Sequence, residues 1–262
     1  MSEPQVMIRV CTELSEWEQC VYLQQEVWGF SDLDLVPLRM FSVASKIGGH
    51  VIGAYDGERM VGFALAIPGS RNGYSYLYSH MLAVSESHRN QGLGRKIKLF
   101  QREDAIARGY ELMEWTFDPL EIKNAYLNIT KLGAIARRYN INQYGITSSP
   151  LQGFLPTDRL VAEWWLKSKR VKTLLQTGAL PVIPTELKIE VPAAIYQWKA
   201  EEPTRARAKE VQSRNRDLFL SSFDKGLACL GYERNAEGNG AFLVGRWDET
   251  WTYATKGNPN ED

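Results

Sequence analysis

The run Arg89-Asn90-Gln91-Gly92-Leu93-Gly94 is the part of this chain whose residue types and spacing point most directly to chemistry. It follows residues 76–84, a run rich in aromatic and β-branched side chains that reads as a strand. It precedes a stretch in which Leu93, Ile97, Phe100 and Ala107 recur at helical spacing. A strand that turns through two glycines into a helix presents unpaired backbone N–H groups at the positive end of a helix dipole, which suits a pyrophosphate. Gly92 and Gly94 fit that use because a side chain at either would hold a phosphate away from the backbone. Two other phosphate motifs are excluded. The run lacks the Gly-Lys-Ser/Thr ending of a P-loop, and Arg89 stands where a dinucleotide fingerprint needs its first glycine.

The elements that must hold this loop are legible on both sides of it. Residues 8–10 read as a short strand, 13–28 as a helix with Thr12 as its cap, and 38–47 as a second helix after a connector at 33–37. Residues 50–55 and 59–67 read as an antiparallel hairpin about Asp56-Gly57. Beyond the loop helix, 111–117 reads as a strand stopped by Pro119. A helix is expected over 121–132, with Ile122, Ala125, Ile129 and Leu132 on one face, and then a strand over 135–141. Farther on, 159–166 is strand-like, 187–191 is a short strand in a Pro/Gly-rich stretch, and 201–230 reads as one long amphipathic helix. Residues 232–235 and 241–247 form a hairpin across Gly238-Asn239-Gly240, and 256–262 is a polar tail expected to fray.

Composition narrows the class of partner. The chain has 262 residues, 44% hydrophobic and 24% charged, which is the profile of a soluble globular protein. Lys+Arg and Asp+Glu number 31 each, so the basic field of a nucleic-acid binder is missing and no nucleic-acid partner is expected. Cys11, Cys20 and Cys229 lack metal-ligand spacing and suit reduced, buried thiols, so no metal is expected. Neither a signal peptide nor an apolar run of membrane-spanning length is visible, and a cytoplasmic protein without a membrane partner is expected.

The loop, with a strand before it and a helix after, resembles the acyl-CoA pyrophosphate loop of the GNAT superfamily of N-acyltransferases, written Arg/Gln-x-x-Gly-x-Gly/Ala. The order strand, two helices, three strands, helix, strand, helix, strand over about the first 150 residues is also similar to that fold from end to end. The resemblance implies an α+β architecture: a mixed, mostly antiparallel twisted sheet with helices on both faces. The expected division is an acyl-CoA-binding domain at 1–167 and a smaller α+β extension at 168–262 that completes or covers the sheet. The Asp-Pro-Leu run at 118–120 and the Asn-Ala-x-Leu-Asn-x-x-Lys-Leu-Gly-Ala run at 124–134 are similar to a large bacterial branch of that superfamily, whose members are thought to acylate amino acids or related small amines.

Residue by residue, the resemblance implies that Arg89, Asn90, Gln91, Gly92, Leu93, Gly94 and Arg95 hold the pyrophosphate. It implies that the backbone of Leu82, Ala83 and Val84 lies beside the pantetheine arm and polarises the thioester carbonyl. Many family members carry a carboxylate base in this region, and this strand has none. Alternation puts Tyr76, Tyr78, His80, Leu82 and Val84 on one face, which makes His80 the candidate base. Asp118, at the end of the next strand, could receive the substrate ammonium or relay its proton; it could equally form the turn before Pro119 or cap the following helix.

Asn124 and Asn128, one helical turn apart, are candidates for the pantetheine contact. Lys131-Leu132-Gly133 keeps the family's ending, but the tyrosine expected four residues before the glycine is Ile129, so the general acid is unassigned. Arg159, and the pair Arg137-Arg138, could each take a substrate carboxylate bidentately or serve as surface ion pairs. The function implied is transfer of an acetyl or succinyl group from acetyl-CoA or another acyl-CoA to the amine of a small molecule, for example an amino acid, by a protein that could be a homodimer. A CoA-binding regulatory module and an enzyme modifying protein N-termini or lysines are the competing readings.

Overall fold

The computed structural model describes residues 6–30, 34–145 and 154–247. The start of the expected connector at Leu33 and the polar tail at 256–262 lie outside the described residues. The chain divides into two compact units, one built on residues up to 114 and the other on 115–250. The division falls inside a strand, upstream of the expected line at 167, so the elements at 135–140 and 159–165 go with the C-terminal ones.

The first unit contains β1 (Met7–Val10), α1 (Leu14–Trp28), α2 (Leu38–Lys46), β2 (His50–Asp56), β3 (Arg59–Arg71), β4 (Tyr74–Val84), α3 (Leu93–Ala107) and the beginning of β5 (Leu112–Phe117). The strands lie in the order β1-β2-β3-β4-β5, antiparallel as far as β4, with β4 and β5 parallel. β3 and β4 are longer than expected because Asn72 and Gly73, both at positive φ, close them into a two-residue hairpin. α1 is capped by a reciprocal Glu13–Glu16 box, and the Thr12 N–H donates to the Glu16 carboxylate instead of Thr12 serving as the cap.

Each face of this sheet is covered by apolar packing. Trp17, Leu23 and Phe41 from α1 and α2 meet Phe63, Leu65 and Met81 on one face. Leu93 and Ile97 of α3 meet Ile52, Ala54, Val61 and Ala64 on the other. Burying a handful of such side chains, at about 1.5–3 kcal/mol each, fixes α3 and the loop at its head against the sheet.

The second unit contains α4 (Ile122–Ala125), which runs on as a π-helical turn at Tyr126–Lys131, then β6 (Ile135–Asn140), β7 (Arg159–Trp165), α5 (Lys169–Thr177), β8 (Leu187–Val191), α6 (Ile195–Ala200), α7 (Arg205–Asp224), β9 (Leu227–Arg234) and β10 (Gly240–Arg246). Its strands lie in the order β7-β6-β9-β10-β8, all antiparallel. Trp164, Trp165, Phe219 and Phe242 are fully buried in it, and the Trp164 indole donates to the Leu132 carbonyl at 2.6 Å.

Two expectations are corrected here. The long helix ends at Asp224, and Leu227 to Leu230 open β9, whose pairing with β10 satisfies their backbone groups. α5 and α6 lie where no element was expected. Among the described residues no helix is long and apolar enough to cross a membrane.

Candidate functional site

In the loop between β4 and α3 most side chains are exposed, and two of them bond back to backbone carbonyls at its start. A single 3-10 turn, Glu86–His88, leads out of β4. Arg89 Nε donates back to the Val84 carbonyl at 3.1 Å and Gln91 Nε2 to the Ser87 carbonyl at 2.9 Å. His88 is held by the Ser85 and Ser87 hydroxyls at 3.2 and 2.9 Å, with Asp56 3.4 Å from its other nitrogen. Asn90 and Gly92 take left-handed conformations, at φ +61° and +78°, and Gly92 is the N-cap of α3.

No side chain caps α3 and no acidic residue stands in its first turn, and by helix geometry the N–H groups of Leu93 and Gly94 have no intrahelical acceptor. Gly92 is required by its φ. Gly94 is not required by packing, since a Cβ there would meet Leu82 at 3.8 Å and Val84 at 3.9 Å, ordinary van der Waals contact. The protein has room for a side chain at the helix head and leaves that room open. That is the feature that fits a phosphate approaching the backbone.

β4 carries a bulge where the candidate base sits. Leu65 pairs with Met81 and Ala66 with Ser79, so His80 is the extra residue opposite β3. The bulge breaks the single face read from alternation. Ser79 faces α3, bonded to Lys98 and Gln101, whereas beyond the bulge it is Leu82 and Val84 that pack toward α3, with Met81 and Ala83 on the opposite face. Tyr76 and Tyr78 therefore do not share a face with Leu82 and Val84.

His80 itself is solvent-exposed, with the Tyr78 ring 6.2 Å away, and partial desolvation by the surrounding protein lowers its pKa below the ordinary histidine value. β4 pairs with β5 at Leu77–Met113 and Tyr78–Glu114, and among the described residues the ladder goes no further. From Ser79 to Val84 no further pairing with β5 is seen among the described residues; on that edge Leu82 and Val84 alternate with Ala83, which pairs with Phe63 of β3, and the Val84 carbonyl accepts from Arg89.

The other two histidines are committed elsewhere. His88 belongs to the loop's own hydrogen bonds, and His50 is buried with its Nδ1 2.6 Å from Asp104. Burial lowers the His50 pKa despite that carboxylate.

The remaining candidates lie in the second unit and are described in their own surroundings. Asp118 is buried; its Oδ1 accepts from the Leu120 N–H at 2.8 Å and its Oδ2 from Lys199 Nζ at 3.1 Å. Burial alone would lower the Lys199 pKa, but Asp118 and Glu121 outweigh it and hold the ammonium above its usual value. Both oxygens of Asp118 are thus engaged in forming the turn and anchoring α6. Asp118→Asn is expected to destabilise the protein by about 1.5–3 kcal/mol, the usual worth of a hydrogen bond to a charged group, with turnover little changed. Thermal melts beside initial rates check this, and a rate loss above a hundredfold at unchanged stability would assign Asp118 to the chemistry instead.

Asn128 is buried and donates to Asn124 Oδ1 at 3.2 Å, while Asn124 is exposed. The π-helical turn closes with the Leu132 N–H on the Leu127 carbonyl, five residues back, so α-helical counting from Gly133 does not apply to this segment. Tyr126 lies under the Lys131 ammonium at 5.3 Å and the Arg234 guanidinium at 5.9 Å.

Arg137 and Arg138 both bond the fully buried Glu163, at 3.0 and 3.1 Å from their Nε atoms. A register shift between Ala136 and Tyr139 brings these consecutive side chains to one carboxylate, and a substrate role for the pair is not carried further. Arg159 is half-buried, donates to the Asp158 carbonyl at 3.0 Å and stands over the Tyr144 ring at 5.6 Å. Among the described residues no group of His, Cys, Asp and Glu could hold a metal ion.

Residues 11–124 match the family model described as Acetyltransferase (GNAT) family. The fold agrees. YncA of Salmonella typhimurium, solved with its cofactor acetyl-CoA, is similar over 63% of this chain and 97% of its own, at 16% identity and a TM-score of 0.50. A Streptococcus mutans UA159 protein is similar over 62% of this chain and 99% of its own, at 18% identity and a TM-score of 0.50. No curated protein matches the chain.

Proposed function

We propose that this protein is an acyl-CoA-dependent N-acyltransferase that transfers an acetyl group to the amine of a small molecule. The observation that carries the reading is the head of α3: an uncapped helix start whose Gly94 has room for a side chain and none present, next to a strand whose pairing with β5 goes no further than Tyr78 among the described residues. The residues fit a nucleotide-linked thioester. The backbone from Arg89 to Arg95 would take the pyrophosphate, with the dipole of α3 and the cations Arg95 and Lys96 in its first turn favouring negative charge. The edge of β4 at Leu82 to Val84 would lie beside the amide-bearing pantetheine arm as beside an added strand, and a backbone N–H there would polarise the acyl carbonyl.

When bound, acyl-CoA supplies the activated acyl group. His80 would take a proton from the substrate ammonium, its own lowered pKa favouring the neutral ring. The freed amine then forms the C–N bond while the C–S bond breaks, and the CoA thiolate leaves to take a proton from solvent. Asn124 and Asn128 are proposed contacts for the pantetheine, and Arg159 for an acceptor carboxylate. Asp118 is not carried into the mechanism, because both of its oxygens are engaged. The three free, buried cysteines support a reducing, cytoplasmic setting.

The test is release of free thiol from acetyl-CoA and succinyl-CoA in the presence of amino acids, polyamines, and peptides with free N-termini or lysines. Turnover with a small amine and little with peptides is the expected result. Tight binding of CoA without turnover on any acceptor would replace the enzyme with a CoA-binding module. Turnover confined to peptides would move the acceptor class to proteins.

A further inference from the structure

The geometry points to Ser79 and Lys98 as positioning residues that lock the His80 bulge of β4 to the helix carrying the phosphate loop. This inference rests on the reading of that loop and of His80 given above. Lys98 lies one helical turn beyond Gly94 on α3 and is buried in the helix–sheet interface, where its Nζ donates to Ser79 Oγ at 2.7 Å. Ser79 Oγ in turn donates to Gln101 Oε1 at 3.0 Å, one further turn along α3. Ser79 is the residue immediately before the bulge, so two side chains of α3 hold the strand at the point where its register breaks.

The same face of the helix is pinned a second time. Asp104, three residues beyond Gln101, bonds His50 of β2. His50 pairs with Ala66 of β3, and Ala66 with Ser79, so the two pinned residues lie in one row across the sheet with only the small Ala66 between them.

Polar groups at this depth are poor as net stabilisers, since burial costs what their hydrogen bonds return. What they supply is discrimination. A helix held by Leu93, Ile97 and Phe100 alone could settle at several nearby offsets with similar apolar contact, whereas a shift of even 1 Å would break the bonds to Ser79. The offset matters because two halves of one reaction hang on it. The head of α3 sets where the cofactor's phosphates sit, and the bulge of β4 sets where His80 and the strand edge beyond it sit. The Ser79–Lys98 bond joins α3 to β4 directly. No catalytic contact by either residue is implied, and both act through His80 and β4.

The experiment uses the full-length protein with uniform ¹⁵N labelling. The imidazole resonances of its three histidines are followed as acetyl-CoA is added, for the wild type, Ser79→Ala, Lys98→Met and Ser79→Thr. In the wild type the His80 resonances are expected to move on binding. In Ser79→Ala and Lys98→Met acetyl-CoA should still bind, with Kd changed less than about threefold, because the loop backbone is untouched, but the His80 response should be lost. Ser79→Thr, which keeps the hydroxyl, should restore it.

With an acceptor in hand, kcat should fall about 10- to 100-fold in the first two variants at nearly constant KM for acetyl-CoA, as a misplacement near 1 Å predicts. A wild-type His80 response in both, whatever their melting temperatures, overturns the positioning role alone. Failure of the wild type to bind acetyl-CoA overturns the reading of the loop and this inference with it. Ser79→Ala carries the test by itself if Lys98→Met does not fold.

Discussion

Replacing His80 with alanine is expected to lower turnover by about 10²–10⁴-fold, the usual worth of general-base assistance, while acetyl-CoA affinity stays unchanged. The two effects separate because the pyrophosphate loop begins beyond the end of β4 and draws on backbone groups that the imidazole does not touch. The pH profile is the more specific readout. A base must be neutral to act, and partial desolvation holds the His80 pKa below the ordinary histidine value. The rate should therefore be flat through neutrality and fall as pH drops through a pKa on the acid side of the usual histidine range. That acid limb should vanish in the alanine variant. Activity near normal across the whole range would mean that the base lies elsewhere, the first choice then being an acceptor amine that arrives already deprotonated.

The loop and its flanking elements were legible because their signals are local. Two glycines after an apolar strand, a helical stripe behind them and Asp56-Gly57 between two runs of strand-like residues each specify a backbone conformation without reference to distant residues. The bulge at His80 carries no such mark. Nothing in Ser79-His80-Met81 distinguishes an extra residue from a paired one; the choice is made by the fit of β4 to β3 and by what α3 offers to Ser79. A parity argument along β4 had to fail at that residue, and it failed next to the site. The π-helical turn at Tyr126–Lys131 is hidden in the same way, inside a run with good α-helical periodicity.

Other differences have simpler causes. Leu227-Ala228-Cys229-Leu230 is wholly apolar, so its period cannot be read, and the preceding helix swallowed it until pairing with β10 settled the matter. α5 did have a signature, with Ser168 accepting from the Val171 N–H at the start and Gly178 in a left-handed conformation at the end. The buried partners were beyond reach of sequence. That Asp118 would meet Lys199, and that Arg137 and Arg138 would both meet Glu163, depends on residues tens of positions apart. These pairs give three candidate site residues buried ionic partners.

Gly94→Glu should weaken acetyl-CoA binding and at the same time make the protein more stable. Gly94 is the second residue of α3, its backbone lies outside the left-handed region, and a side chain there meets only ordinary contacts with Leu82 and Val84. Glycine inside a helix costs about 0.8–1 kcal/mol relative to alanine, and a carboxylate in the first turn gains about 0.3–1 kcal/mol from the helix dipole. A melting temperature a few degrees above the wild type is the expected result. The same carboxylate occupies the space at the head of α3 and opposes a phosphate there. Loss of one or two charge-assisted hydrogen bonds, at about 1.5–3 kcal/mol each, corresponds to binding weaker by about 10- to 10⁴-fold. Gly92 is the poorer probe, because at φ +78° any side chain adds strain of about 1–2 kcal/mol and confuses folding with binding. Calorimetric titration of acetyl-CoA into the folded Gly94→Glu variant decides the matter. A gain in stability with unchanged affinity would show that the open space at the helix head is not a phosphate site, and the acyltransferase reading would lose the observation that carries it.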